Sequence, residues 1–206
     1  MASYAQTEKG NQTLGLNMGF SYNKSNGVSI NPYDNSSTDV NSKTTGFNIG
    51  PSYSYFIADK LELGASLSYD RDNYNYPNTP GNGEEQLRYD YGGTIYLRKY
   101  FMFQNKIGLS AGPYAGYFRG INKLTYEGAN SIYSNDSKTD NFEGGLNLGL
   151  VYYPTKHLGF SASLATIGYD HNKTDDGTQG HSDGNSFNAS FVNNGLSFSI
   201  FYVFGN

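Results

Sequence analysis

From Leu14 to Tyr22 every second residue is large and apolar: Leu14, Leu16, Met18, Phe20 and Tyr22. Between them lie Gly15, Asn17, Gly19 and Ser21, all small or polar. A period of two is the mark of a strand. The end of the chain repeats it, with Leu196, Phe198, Ile200, Tyr202 and Phe204 on one side and Ser197, Ser199, Phe201 and Val203 on the other. Such a strand must cover its greasy face. A water-soluble barrel would turn that face inward, yet the residues on the other face are mostly too small and polar to need the room outside. The arrangement that fits is the reverse. Apolar groups point out into lipid, small polar groups point in, and a closed ring pairs every backbone donor and acceptor.

Six more stretches follow the same rule. The second, residues 44–55, turns Thr45, Phe47, Ile49, Pro51, Tyr53 and Tyr55 outward. Pro51 removes a ladder donor, which predicts a bulge there. The others span 61–69, 87–99, 107–117, 142–152 and 158–169, and an eighth strand begins between Phe187 and Gly195. Their lengths bracket the roughly 9–11 residues that a tilted strand needs to cross a bilayer. The connections alternate. Residues 23–43, 72–84, 120–141 and 170–186 are long polar loops, whereas 57–60, 100–105 and 153–157 are short. This sorting is that of membrane barrels, which have short turns at one rim and long loops at the other. The strands leaving the short turns also resemble one another: Leu63-Gly64-Ala65-Ser66, Leu109-Ser110-Ala111-Gly112 and Phe160-Ser161-Ala162-Ser163. The repeat unit is a hairpin. The expected fold is all-β, an eight-stranded antiparallel up-and-down transmembrane β-barrel. Residues 13–204 form its one domain, with four long outer loops.

Composition narrows the functions. The chain has 206 residues, 36% of them hydrophobic, with 20 Tyr, 13 Phe and no Cys. Its longest apolar run, from Ile200 to Phe204, is far short of the roughly 20 residues of a membrane helix. Net charge is −4 with no basic run, so nothing supports nucleic-acid binding. Ser3, Tyr4 and Ala5 place small residues where an export signal is cleaved. Residues 1–12 therefore read as a flexible leader on the periplasmic side, with the export signal already gone.

Two features carry a resemblance. Asn193, Gly195, Phe198 and Ile200 have the spacing of the C-terminal signal of bacterial outer-membrane barrels. Over its whole length the chain also resembles the small porin-like outer-membrane barrels typified by OmpA, OmpX and OmpW. The phrase Gly112-Pro113-Tyr114-Ala115-Gly116-Tyr117 and the Asn/Tyr/Gly-rich style are similar to Bacteroidetes members. The resemblance implies an outer-membrane location with periplasmic termini. It implies contact with outer-membrane lipid and lipopolysaccharide, and recognition of the C-terminal signal by the barrel-assembly machinery. It implies no cofactor, and it leaves activity open, because the fold hosts adhesins, anchors, solute channels and a few enzymes.

The inward parity gathers six charges: Glu62, Asp70, Arg88, Asp90, Arg98 and Glu143. One register of the third and fourth strands sets Glu62 opposite Arg98, and the neighbouring register sets Asp70 opposite Arg88. A charge in a narrow lumen needs a partner, so an ion-pair network is expected, with Glu62 and Arg98 paired near the short-turn rim. Tyr96, Tyr114, Phe118, Tyr169 and Phe201 share the inward parity and fill the lumen, since eight strands leave space for little more than side chains. His171 and His181 fall among Asp170, Asp175, Asp176 and Asp183, in a spacing that matches no EF-hand, so the stretch reads as a solvated acidic loop and not as a metal site. Serines and histidines abound in the loops, but no spacing selects a catalytic set. The expectation is a non-enzymatic barrel with a largely filled lumen, acting structurally or through its outer loops on a surface or protein partner. The alternatives are a narrow channel for small or hydrophobic solutes and, last, a lipid-modifying enzyme.

Overall fold

The computed structural model describes residues 6–30, 37–79, 82–103, 106–128, 132–177, 180–191 and 198–205. Its strands are β1 (Gln12–Ile30), β2 (Ser37–Ala58), β3 (Leu61–Thr79), β4 (Asn82–Phe103), β5 (Ile107–Gly128), β6 (Ile132–Tyr152), β7 (Leu158–Asp175), β8 (His181–Phe191) and β9 (Phe198–Phe204). From β1 to β7 each strand pairs antiparallel with the next. β9 pairs with both β7 and β1 and so closes the ring. β8 pairs with the far half of β7. β8 and β9 are thus two lengths of an eighth strand, and the architecture is an up-and-down barrel.

The outward face makes an apolar belt. Met18, Phe20, Leu67, Ile95 and Leu146 are each more than half exposed. Aromatic groups mark its edges: Tyr91 and Phe101, ten positions apart on β4, both point out. Tyr117 and Phe142 touch across β5 and β6, ring centroids 4.8 Å apart. One crossing of the belt therefore has the length of a membrane strand.

Beyond the belt the strands continue. Residues 23–43, 72–84, 120–141 and 170–186, expected as loops, lie largely in strands: β2, β4 and β5 each run 22 residues. β8 begins at His181, ahead of the expected start of the eighth strand. The reason is environmental. Alternation reports that one face meets lipid, and above the belt both faces meet water, so a laddered strand there carries polar residues throughout.

Two local expectations are corrected. Pro51 makes no bulge: the β2–β3 register is the same at Ile49↔Tyr69 and at Ser52↔Ser66, with only the pairs of Gly50 and Pro51 missing. Proline lacks one N–H, so the ladder loses bonds on one side while Leu16↔Pro51 persists on the other. Gly112-Pro113 does the same between β4 and β5, where pairing stops at Tyr96↔Tyr114 and resumes in register at Lys99↔Ala111. The shift in β2 lies instead between Phe56 and Ala58, beside the Asp59-Lys60 turn, where Lys60 takes φ 60°. Second, Tyr169 faces out, 51% exposed. Leu148 pairs with Ala165 but Gly149 with Ser163, so Leu164 is an extra residue that reverses the parity after it. The expected C-terminal signal is described only in part. Asn193 and Gly195 lie outside the described residues, whereas Phe198 and Ile200 belong to β9, where Ile200 is outward and paired with Phe160 and Leu16.

Candidate functional site

Two glycines let aromatic rings lie flat inside the lumen. A Cβ on Gly64 would strike the ring of Tyr96, and one on Gly159 would strike that of Phe201. Around these rings the short-turn end of the barrel is packed. Phe56, Tyr100, Val151, Tyr153 and Val203 are all buried together, with Met102 and Phe201 against them. Phe56 and Tyr100 meet at 5.5 Å between centroids, and Phe201 meets Tyr153 edge-on at 5.6 Å. Each of these side chains lies near the end of its strand, where the ring of backbone is backed by short turns.

Glu62 sits at the edge of this cluster, 3% exposed. Its Oε1 accepts a hydrogen bond from the Ser54 hydroxyl, which in turn accepts from the Thr13 hydroxyl, whose oxygen lies 3.4 Å from Oε1. The Tyr100 hydroxyl donates to Oε2 at 2.7 Å. Arg98 stands opposite Glu62 in the register, as expected. The expected ion pair is not formed. The guanidinium lies over the Tyr96 ring, 3.9 Å from its centroid. Among the described residues the arginine–carboxylate ion pairs are Arg88–Asp90 and Arg119–Asp140, and His171 Nδ1 lies 4.0 Å from Asp183 Oδ1. The Ser54 and Tyr100 hydroxyls hold the carboxylate, backed by Thr13, and a planar cation gains by stacking on an aromatic face.

Above the cluster is a polar cavity of about 430 Å³, walled by Asn17, Asn48, Ser66, Ser161 and Ser199, with Arg98 also on its lining. Higher still, a vestibule of about 720 Å³ is lined by Asp70, Asp72, Asp90, Glu143 and Asp170, with Arg88 the basic group among them. The register that faces Glu62 with Arg98 continues unbroken to Tyr76, so Asp70 meets Asp90 and Asp72 meets Arg88. The expected Asp70–Arg88 pairing is corrected accordingly: Arg88 Nε donates to Asp90 Oδ2 at 2.6 Å along one strand. Glu143 faces Asp170 on β7. Asp70 and Asp90 follow directly on the Tyr69–Tyr91 pair that edges the belt, so they lie outside the membrane-spanning lengths of β3 and β4. Burial and then the facing Asp90 carboxylate push Asp70 above the ordinary carboxylate range, with Arg88 pulling the other way. The six inward charges thus divide: Glu62 and Arg98 at the turn end, Asp70, Arg88, Asp90 and Glu143 in the vestibule.

Of the remaining aromatic residues expected inside, Tyr96 is buried, Tyr114 lines a side pocket below the vestibule, and Phe118 lines the vestibule. His171 is on β7 and His181 on β8, the first 2.8 Å from Asn185 Oδ1. Among the described residues no group of three His, Asp or Glu is placed to hold a metal ion.

Sequence reasoning missed two elements. Phe56, Tyr100, Val151, Tyr153 and Val203 share the inward parity at strand ends beside short turns, a signal that finds them. The other is the segment 6–11. Expected as part of a flexible leader, it lies across the turn end, with Gln6, Thr7 and Asn11 buried. Gly10 donates to the Phe56 carbonyl, Phe56 to that of Asn11, and Lys60 to that of Thr7. At the far rim, Gln6 Nε2 donates to the Thr155 carbonyl at 3.0 Å. No hydrophobic pattern marks these residues, all polar or Gly, so nothing in the sequence announces them.

A family profile described as outer membrane protein beta-barrel domain matches residues 4–166. No curated protein matches the chain. Among solved structures it is similar to Ail, the attachment invasion locus protein of Yersinia pestis, at 14% identity over 95% of this chain and 99% of that one, TM-score 0.40. It is also similar to the outer membrane protein OprG of Pseudomonas aeruginosa, at 15% identity over 98% and 99%, TM-score 0.42. A major outer membrane protein of Thermus thermophilus shows 11% identity over 94% and 98%, TM-score 0.44.

Proposed function

The chain belongs to the outer membrane β-barrel domain family, a family of the bacterial outer membrane, and from that membership we propose a non-conducting, non-enzymatic barrel whose long hairpins act outside the cell. The observation that carries this reading is the packed turn end. Five mutually buried side chains and the hydroxyl-held Glu62 occupy the lumen where a solute would leave it. The short turns and both chain ends then face the periplasm. The polar upper lengths of the hairpin strands, within the expected loops 23–43, 72–84, 120–141 and 170–186, then face outward, where they meet lipopolysaccharide or a surface partner. The barrel-assembly machinery reads the C-terminal strand during insertion.

Planar-bilayer recording tests the closure: the wild-type barrel gives no steady conductance, and porin-like steps would overturn it. Protease added to intact cells tests the orientation. Cleavage at 23–43 or 120–141 supports it, and cleavage at 58–60 or 155–157 reverses it. A second reading, a narrow transport path, draws on the polar cavity of about 430 Å³ above the packed end. It takes over if wild-type barrel conducts.

A further inference from the structure

The closed turn end has two layers of different chemistry. The inner layer is apolar: Phe56, Tyr100, Val151, Tyr153 and Val203. The outer layer is the segment Gln6-Thr7-Glu8-Lys9-Gly10-Asn11, which has no apolar side chain. It runs from β1 past the β2–β3 turn to the β6–β7 turn, which belongs to the opposite side of an eight-strand ring.

Its two ends are fastened differently. The end next to β1 is bound through backbone: Gly10 and Asn11 exchange bonds with Phe56, the residue at which the β2–β3 register shifts. The middle is bound to one turn, with Lys60 N on the Thr7 carbonyl and Lys9 N on Asp59 Oδ1 at 2.9 Å. The far end reaches the other rim through a side chain, Gln6 Nε2 on the Thr155 carbonyl. Gly10, at φ +97°, is the bend between them, and a Cβ there would meet no atom within 4 Å. Its positive φ makes glycine the fitting residue for reasons of backbone and not of packing. Glu8 and Lys9 are exposed.

We propose that residues 6–11 are a releasable strap across the turn end, that Gly10 is its hinge, and that the bond from Gln6 to Thr155 is its catch. The apolar layer closes the lumen. The strap covers that layer from water and ties the β1–β2 side of the rim to the β6–β7 side. Freeing Gln6 lifts the far end and leaves the near end paired with Phe56, because two backbone hydrogen bonds hold the near end and one side-chain bond holds the far end. The proposal rests on the closed-barrel reading of the turn end.

Amide hydrogen exchange on the refolded barrel in detergent reads the strap directly. The Lys60 amide is protected by Thr7, and the Gly10 amide by Phe56. In Gln6→Ala the Lys60 amide should exchange roughly two- to tenfold faster, the factor that one net hydrogen bond supplies, with Gly10 unchanged. Glu8→Ala, at an exposed position, should leave both as in wild type. Unchanged exchange at Lys60 in Gln6→Ala overturns the catch. Equal acceleration at Lys60 and Gly10 overturns the hinge, since the segment then leaves as one piece. Because the chain has no cysteine, Thr7→Cys gives a second readout. A water-soluble thiol reagent should label it slowly alone and faster when Gln6→Ala is added, and equal rates also overturn the catch. Conductance of the wild-type barrel would sink the closed-barrel reading and leave these exchange results standing, so the two failures are distinguishable.

Discussion

Glu62 and Asp70 are eight residues apart on β3 and point into the same lumen, yet they are stabilised in opposite ways. Glu62 is almost wholly buried, has a guanidinium across the register, and takes its hydrogen bonds from hydroxyls. Asp70 is half-buried, has a like charge across the register, and has Arg88 nearby. The backbone ladder decides which residues face each other, but solvent decides what a facing pair must do. Where water is excluded, a carboxylate must be fully hydrogen-bonded or it unfolds its surroundings. Where water enters, even two carboxylates can face each other across a ladder. The turn end is therefore a packed core with one buried charge, and the hairpin end is a hydrated acidic funnel.

The largest effect should come from breaking the packed end. Tyr100 combines ring contact with Phe56 and a hydrogen bond to Glu62. Tyr100→Ala should cost about 3–5 kcal/mol, the range for deleting a buried aromatic side chain, read as urea unfolding of the refolded barrel in micelles. A loss below about 1 kcal/mol, less than any buried aromatic truncation, would mean that the turn end is not a core at all.

A smaller effect tests what holds Glu62. Ser54→Ala removes a donor and leaves the carboxylate short, at a cost of about 1–3 kcal/mol. Combined with Glu62→Gln, much of that loss should disappear, the signature of coupling. Arg98→Ala with the same Glu62→Gln should couple more weakly, because the guanidinium is spent on the Tyr96 ring. Stronger coupling to Arg98 than to Ser54 would restore the ion pair that the register alone suggested.

The same contrast explains which parts of the molecule are legible in the amino-acid sequence. Lipid gives the two faces of a strand different solvents, so Leu14 to Tyr22 announces itself by alternation. In the upper hairpins both faces meet water, so Asn122 and Ser137 form a ladder pair that the sequence disguises as loop. The facing of Glu62 and Arg98 is legible because both share the inward parity at the short-turn end of two consecutive antiparallel strands. The use of each charge is not, because the hydroxyls around Glu62 come from β1, β2 and β4 and no spacing in the sequence marks them. Leu164 hides its extra position because Ala162, Ser163 and Ala165 suit either face, and Tyr169 is carried to the wrong side with it.

The smallest effect belongs to the acidic funnel, and it has a sign. Asp70 has its pKa raised by burial first and by Asp90 second. A carboxylate raised on folding adds its share of stability below its ordinary value of 3.8 and loses it as pH rises through the folded value. At neutral pH the charged Asp70 is therefore a liability, and Asp70→Asn should stabilise the barrel. The gain should stay below about 1 kcal/mol, since the site is open to solvent and screened. It should shrink as pH falls through the raised value and vanish near pH ~3, where the native carboxyl is neutral. Added salt should also shrink it, because repulsion between partly hydrated charges is screened. The urea midpoint of wild type and Asp70→Asn, compared at neutral pH and at that acid limit, reads this directly. A variant less stable than wild type at neutral pH would mean that Asp70 has a cationic partner there after all, and that the two ends of the barrel treat their carboxylates alike.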